Sequence, residues 1–159
     1  MTELFLLLQP YLKIFWLAML PATELRAAIP LGLIAWQLDP WLTYFVAIIG
    51  NFIPALVLIV GLEKADKIMH SRDNWITRLY HRYVDHLRGK AAPKVAKYGY
   101  FALLLFVALP VPGTGAWSGT IISWLFGMRK GKSLSAIGIG IMIAGVIVTL
   151  FSTGIIKFI

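Results

Sequence analysis

Between Tyr98 and Met128 runs an apolar stretch of about 30 residues, with Lys94 and Lys97 before it and Arg129, Lys130 and Lys132 after it. Leu109-Pro110-Val111-Pro112-Gly113-Thr114-Gly115 breaks it at the centre, leaving arms of 12 and 13 residues at 98–109 and 116–128. At about 1.5 Å per residue, neither arm crosses a hydrocarbon core about 30 Å thick. Basic residues gather on the cytoplasmic side of membrane proteins, so two basic flanks belong on one side. Length and charge together predict a re-entrant hairpin over 98–128 that enters from the cytoplasm and returns to it.

A bilayer is the solvent that composition implies. Of the 159 residues 59% are hydrophobic, against about 45–50% in soluble domains, which predicts an all-α integral membrane protein with one domain over 1–159. The net charge of +8 is no nucleic-acid footprint. Nine of the 15 Lys and Arg lie between Lys64 and Lys97, and three more are Arg129, Lys130 and Lys132, so the charge encodes topology and puts 63–97 in the cytoplasm. A bundle this short buries little surface, which predicts oligomerisation. With no Cys, disulfides and thiolate metal sites are excluded. Met1-Thr2-Glu3 lacks the basic start of a signal peptide, so the first segment is expected to be retained.

The first half, 1–62, carries a similar interruption. Leu20-Pro21-Ala22-Thr23-Glu24-Leu25-Arg26 places a carboxylate and a guanidinium in a mainly apolar run, and Ala27–Leu38 has only 12 residues, about 18 Å of helix. A second re-entrant hairpin is expected at about 13–38. After Asp39-Pro40, residues 41–62 are long enough to span, with Trp41 and Tyr44 as interfacial anchors. Pro54 removes the amide that would bond to the Gly50 carbonyl, so a kink with polar Asn51 beside it is expected mid-membrane; Asn51 serves there either the site or a helix contact.

In 63–97, Ile76, Leu79, Tyr80, Tyr83 and Leu87 recur at helical spacing opposite Asn74, Arg78, His81, Asp85 and Arg88, which predicts a cytoplasmic amphipathic helix at 73–88. His81 and His86 are five apart, off a common ligating face, and neither a metal nor a cofactor is expected. In the second half, 98–159, a spanning helix is expected at 133–158, with Ala136, Gly140 and Ala144 as a small-residue stripe for close packing. The halves superpose without a gap at an offset of 89 residues, Leu20-Pro21 on Leu109-Pro110 and 41–62 on 130–151. The fold class expected is an inverted repeat of two re-entrant helical hairpins, each followed by a transmembrane helix, as in many secondary transporters.

Ionisable residues at membrane depth are costly and by default mark a functional site. Glu24 is the natural proton carrier, since burial raises the pKa of a carboxyl and a neighbouring Arg lowers it. Arg26 offers a bidentate fork for phosphate or carboxylate. Helices starting after Glu24 and after Thr114 turn positive ends inward, where backbone amides receive an anion. Gly113 and Gly115 allow backbone to approach a ligand, Thr114 adds a hydroxyl, and Pro110 and Pro112 shape the tip. The other reading of Glu24 and Arg26 is structural, each pinning the tip through another residue; at i, i+2 they share no helical face. Trp36 and Trp117 are expected to anchor or pack.

Glu24-Leu25-Arg26-Ala27-Ala28-Ile29-Pro30-Leu31-Gly32 and Pro110-Val111-Pro112-Gly113-Thr114-Gly115-Ala116-Trp117-Ser118-Gly119 resemble the two signature motifs of the prokaryotic small multi-drug export protein family. More distantly, the plan resembles the DedA and VTT superfamily. That resemblance implies a multi-pass protein of the prokaryotic cytoplasmic membrane, proton-linked transport, dimers and, for some members, lipid carriers such as undecaprenyl phosphate. Glu24 fits the acidic residue of the first DedA hairpin. The second hairpin has no arginine before Arg129, and Arg26 is left to take over the anion.

The function expected is a proton-coupled secondary transporter or lipid flippase moving an amphiphilic, lipid-phosphate-like substrate between facing hairpin tips. Two alternatives stand beside it: an exporter of lipophilic cations using Glu24, and a membrane scaffold docking through 73–88. An enzyme is not expected, because no Ser, His and acid group is placed for nucleophilic work, every His lying in the cytoplasmic segment.

Overall fold

A computed structural model of the chain describes residues 2–71, 77, 78, 82, 84, 86, 98–111 and 113–154. Among them the main elements are helices, with no strand: α1 (Thr2–Met19), α2 (Glu24–Pro30), α3 (Pro40–Ser71), α4 (Tyr98–Ala108), α5 (Ala116–Leu125) and α6 (Lys130–Ser152).

Local chemistry explains most boundaries. Pro30 has no N–H to give the Arg26 carbonyl, and the chain continues from α2 as one π turn over Leu31–Ala35, where the Trp36 amide reaches back five residues to the Leu31 carbonyl at 3.1 Å. Gln37, at φ 49°, ends it. The Asp39 carboxylate then accepts the Leu42 N–H at 2.9 Å, capping α3 with Pro40 at its first position. Helix α3 runs past residue 62 to Ser71, since Glu63-Lys64-Ala65-Asp66-Lys67 contains no helix breaker. Helix α6 starts at Lys130 and stops at Ser152, short of 158, because Gly154 (φ 72°) turns its N–H onto the Phe151 carbonyl at 3.1 Å.

Two of the helices are long and apolar enough to cross a bilayer, α3 over Pro40–Ile68 and α6 over Lys130–Ser152, and only 33% and 39% of their apolar windows are buried. A core helix of a soluble protein hides most of its surface; these present Trp41 (73% exposed) and Val57 (67% exposed) outward, a surface that suits lipid and not water. The protein is a membrane protein.

Helices α3 and α6 run antiparallel. Lys130 meets Glu63 at 3.0 Å, Gly138 faces the Phe52 ring, and the Tyr44 hydroxyl donates to the Met142 carbonyl at 3.2 Å. This register sets Asn51 level with Ile141, each eleven residues into its helix, or roughly 16 Å along it.

Helices α1 and α2 fold back on each other beside the Pro40 half of α3. The Lys13 ammonium lies 5.8 Å from the centre of the Trp36 ring, Gly32 meets Ile14 and Thr43, and Gly50 admits α1 so closely that a Cβ there would stand 2.6 Å from the Phe15 carbonyl. Helices α4 and α5 fold back beside the Lys130 half of α6. The Arg129 N–H donates to the Tyr100 hydroxyl at 3.1 Å, and Gly119 sits against Val107 and Leu103. The stripe Ala136, Gly140, Ala144 is buried, and a Cβ on Gly140 would press on Val107 and the Leu104 carbonyl.

The amphipathic helix expected at 73–88 lies largely outside the described residues. Of those described, Thr77 and Val84 are buried while Arg78, Arg82 and His86 are exposed.

Candidate functional site

The break after α1 and the break after α4 meet. Each leaves helix ends with unpaired backbone groups, amides at a start and carbonyls at a finish, which must find partners away from water. Glu24 and Arg26 of the first break supply them to the second.

Arg26 turns onto the finish of α4. One of its terminal nitrogens, Nη1, donates to the carbonyls of Val111 (2.5 Å) and Thr114. The other, Nη2, donates to the Leu109 carbonyl (2.8 Å) and the Thr114 hydroxyl oxygen (2.9 Å), with the Val107 carbonyl at 3.5 Å. A planar fork of donors suits this cluster, and a cation belongs at the negative end of a helix.

Glu24 turns onto the start of α5. Its carboxylate accepts the backbone N–H groups of Trp117 (3.4 Å) and Ala116, an anion at the positive end of a helix. Its side chain is buried and its backbone is left-handed, φ 47°, a conformation that costs a residue other than glycine roughly 1–2 kcal/mol. Gly115 stands opposite at φ 155°, and a Cβ there would overlap the carboxylate. The Trp117 indole N–H donates to the Met19 carbonyl at 3.0 Å, closing the end of α1 as well. The two breaks thus form a clasp of crossed charges: carboxylate on amides, guanidinium on carbonyls.

Outside the clasp is an open cavity of about 360 Å³, lined by Pro21, Thr23, Glu24, Arg26, Thr114, Trp117 and others from both breaks. Its volume falls in the range of small-molecule sites, about 300–1,000 Å³. Inside is a tight gap bordered by Glu24, Arg26, Asn51, Gly115, Ile141 and Ala144. Glu24 and Arg26 line both, so their side chains form the wall between cavity and gap.

Of the residues singled out by sequence, Glu24, Arg26, Pro110, Gly113 and Thr114 share the cavity, and Gly115 and Asn51 border the gap behind it. Pro112 lies outside the described residues. The amides and the guanidinium expected to face an anion are held within the clasp. Trp117, expected only to anchor or pack, both lines the cavity and donates to Glu24 and Met19; its position at the second residue of α5, directly after the Gly115 break, is the signal that marks its amide as free.

A family model described as "Putative small multi-drug export protein" matches residues 24–147, from Glu24 at the start of α2 through the second break and into α6. No curated protein and no solved structure matches the chain.

Proposed function

Because the chain belongs to the small multi-drug export protein family, we propose that it is a secondary transporter and not an enzyme, multi-pass in the cytoplasmic membrane of a prokaryote with 63–97 on the cytoplasmic side. The α1–α2 and α4–α5 pairs are re-entrant hairpins entering from opposite faces. In support, the first pair lies along α3 from Thr43 to Gly50 and the second runs from the Arg129 end of α6 to Gly140, while Glu24 and Gly115 border one gap with Asn51 and Ile141 at mid-helix. The inverted repeat is supported by matching boundaries: α1 ends at Met19 and α4 at Ala108, 89 residues apart.

The observation that carries the reading is the Glu24 carboxylate on the α5 amides, at the wall of a cavity that both breaks line. An acid so placed is exchangeable. Protonation removes the charge that holds it to the amides, frees the start of α5, and lets an anionic head group take the position the carboxylate held. The substrate is then an amphiphile with an anionic head, of lipid-phosphate type, carried together with a proton. The working unit is a homodimer.

The test is transport into proteoliposomes under a pH gradient, with a fluorescent anionic phospholipid as probe and Glu24→Gln beside wild type. Wild type should move the probe faster with the gradient, and Glu24→Gln should be indifferent to it. Equal dependence in both removes the proton role.

One observation favours a second reading, export of lipophilic cations. Arg26 is turned onto the carbonyls of 109–114, so its charge is offset and Glu24 is left to face a cation. A cationic dye run in parallel, moved by wild type while the anionic lipid is not, selects this reading.

A further inference from the structure

Behind Glu24 lies a group that the clasp leaves unsatisfied. Asn51 is 1% exposed, and its Oδ1 has no hydrogen-bond partner among the described residues. A buried acceptor left unpaired costs about 1–3 kcal/mol, and Asn51 stands in α3 where apolar residues of the same size are plentiful. It borders the gap together with Glu24 and Gly115. What Oδ1 lacks is a donor, and an ionised carboxylate has none to offer; a protonated one does.

We propose that Asn51 is the partner of protonated Glu24, so that the carboxyl has two positions: ionised on the Ala116 and Trp117 amides, protonated on Asn51 Oδ1. The inference rests on the proton role assigned to Glu24 above and specifies where the acid goes. The proton comes from water in the open cavity, which Glu24 also lines, forms the O–H bond on a carboxylate oxygen, and returns to water when the carboxyl swings back. No other bond is made or broken.

The surroundings leave few competitors for that O–H. From α2 the charged neighbour is Arg26, which offers donors only and is occupied by carbonyls of 109–114. From α5 the neighbours are the two amides, also donors. The gap-lining residues from α4 and α6 are Val107, Ile141 and Ala144, which have no polar side-chain atoms. Among the described residues bordering the gap, Asn51 is the side chain that can accept.

Infrared difference spectroscopy of the full chain in lipid, titrated with pH, tests this. A protonated-carboxyl C=O band that disappears in Glu24→Gln reports the acid. In wild type it should lie at the frequency of a hydrogen-bonded acid. In Asn51→Leu, close in volume but without an acceptor, the band should move to higher wavenumber and its titration midpoint should fall by about 0.5–1 pH unit, the loss of one hydrogen bond from the protonated form. Asn51→Thr, which keeps an oxygen, should restore part of both. A wild-type band at the frequency of a free acid overturns the proposal even if Asn51→Leu fails to fold, as does an unmoved band and midpoint in a folded Asn51→Leu. If no band depends on Glu24 at all, the proton role itself falls and this inference with it.

Discussion

Gly115→Ala tests the clasp where its geometry is tightest. Two costs arise. At φ 155° and ψ −166° the backbone occupies a region essentially reserved for glycine, worth about 1–3 kcal/mol for any other residue. The new methyl also overlaps the Glu24 carboxylate, which must leave the Ala116 and Trp117 amides, and hydrogen bonds to a charged group contribute about 1.5–3 kcal/mol. The single variant should therefore lose about 2.5–6 kcal/mol. In a Glu24→Ala background the carboxylate is already gone, so the same change should cost only the backbone part. A double-mutant cycle, read by circular dichroism during sodium dodecyl sulfate unfolding from mixed micelles, should give a coupling of about 1.5–3 kcal/mol. If Gly115→Ala costs the same in both backgrounds, within about 0.5 kcal/mol as for independent sites, the carboxylate does not sit over Gly115 and the clasp is refuted.

Three further outcomes are expected from the same unfolding assay. Arg26→Lys should destabilise by about 1–3 kcal/mol despite keeping the charge, because a point ammonium cannot serve the carbonyls of Leu109, Val111 and Thr114 together as the planar fork does; wild-type stability would contradict this. Asp39→Ala should lose about 1 kcal/mol through the Leu42 cap and leave transport in proteoliposomes intact, since the cap is remote from the cavity. Gly140→Val should cost about 1–3 kcal/mol or more by forcing α4 away from α6, where even a Cβ approaches the Leu104 carbonyl to 2.9 Å; an unchanged unfolding midpoint would mean the two helices are not in contact at that level.

The chain itself determined the helical membrane character, the breaks at 20–23 and 109–115, the stretches within α3 and α6 that are long and apolar enough to cross a bilayer, and the unusual standing of Glu24 and Arg26. These follow from hydropathy, segment length, Pro and Gly, and the cost of charge in lipid, all of which act within a few residues along the backbone. The ends of α3 and α6 were less legible, because helix-forming polar residues let α3 continue beyond its apolar run and Gly154 stopped α6 within one. Only the tertiary structure decided what the two charges do. Arg26 finds its carbonyls 81 to 88 residues away and Glu24 its Trp117 amide 93 residues away, contacts that no local pattern encodes. It also decided that Gly115 leaves room for a carboxylate and that Asn51 lies behind it with an unfilled acceptor. Burial makes unpaired helix ends expensive, and which charge settles on which end depends on how the breaks are brought together by the packing of α3 against α6.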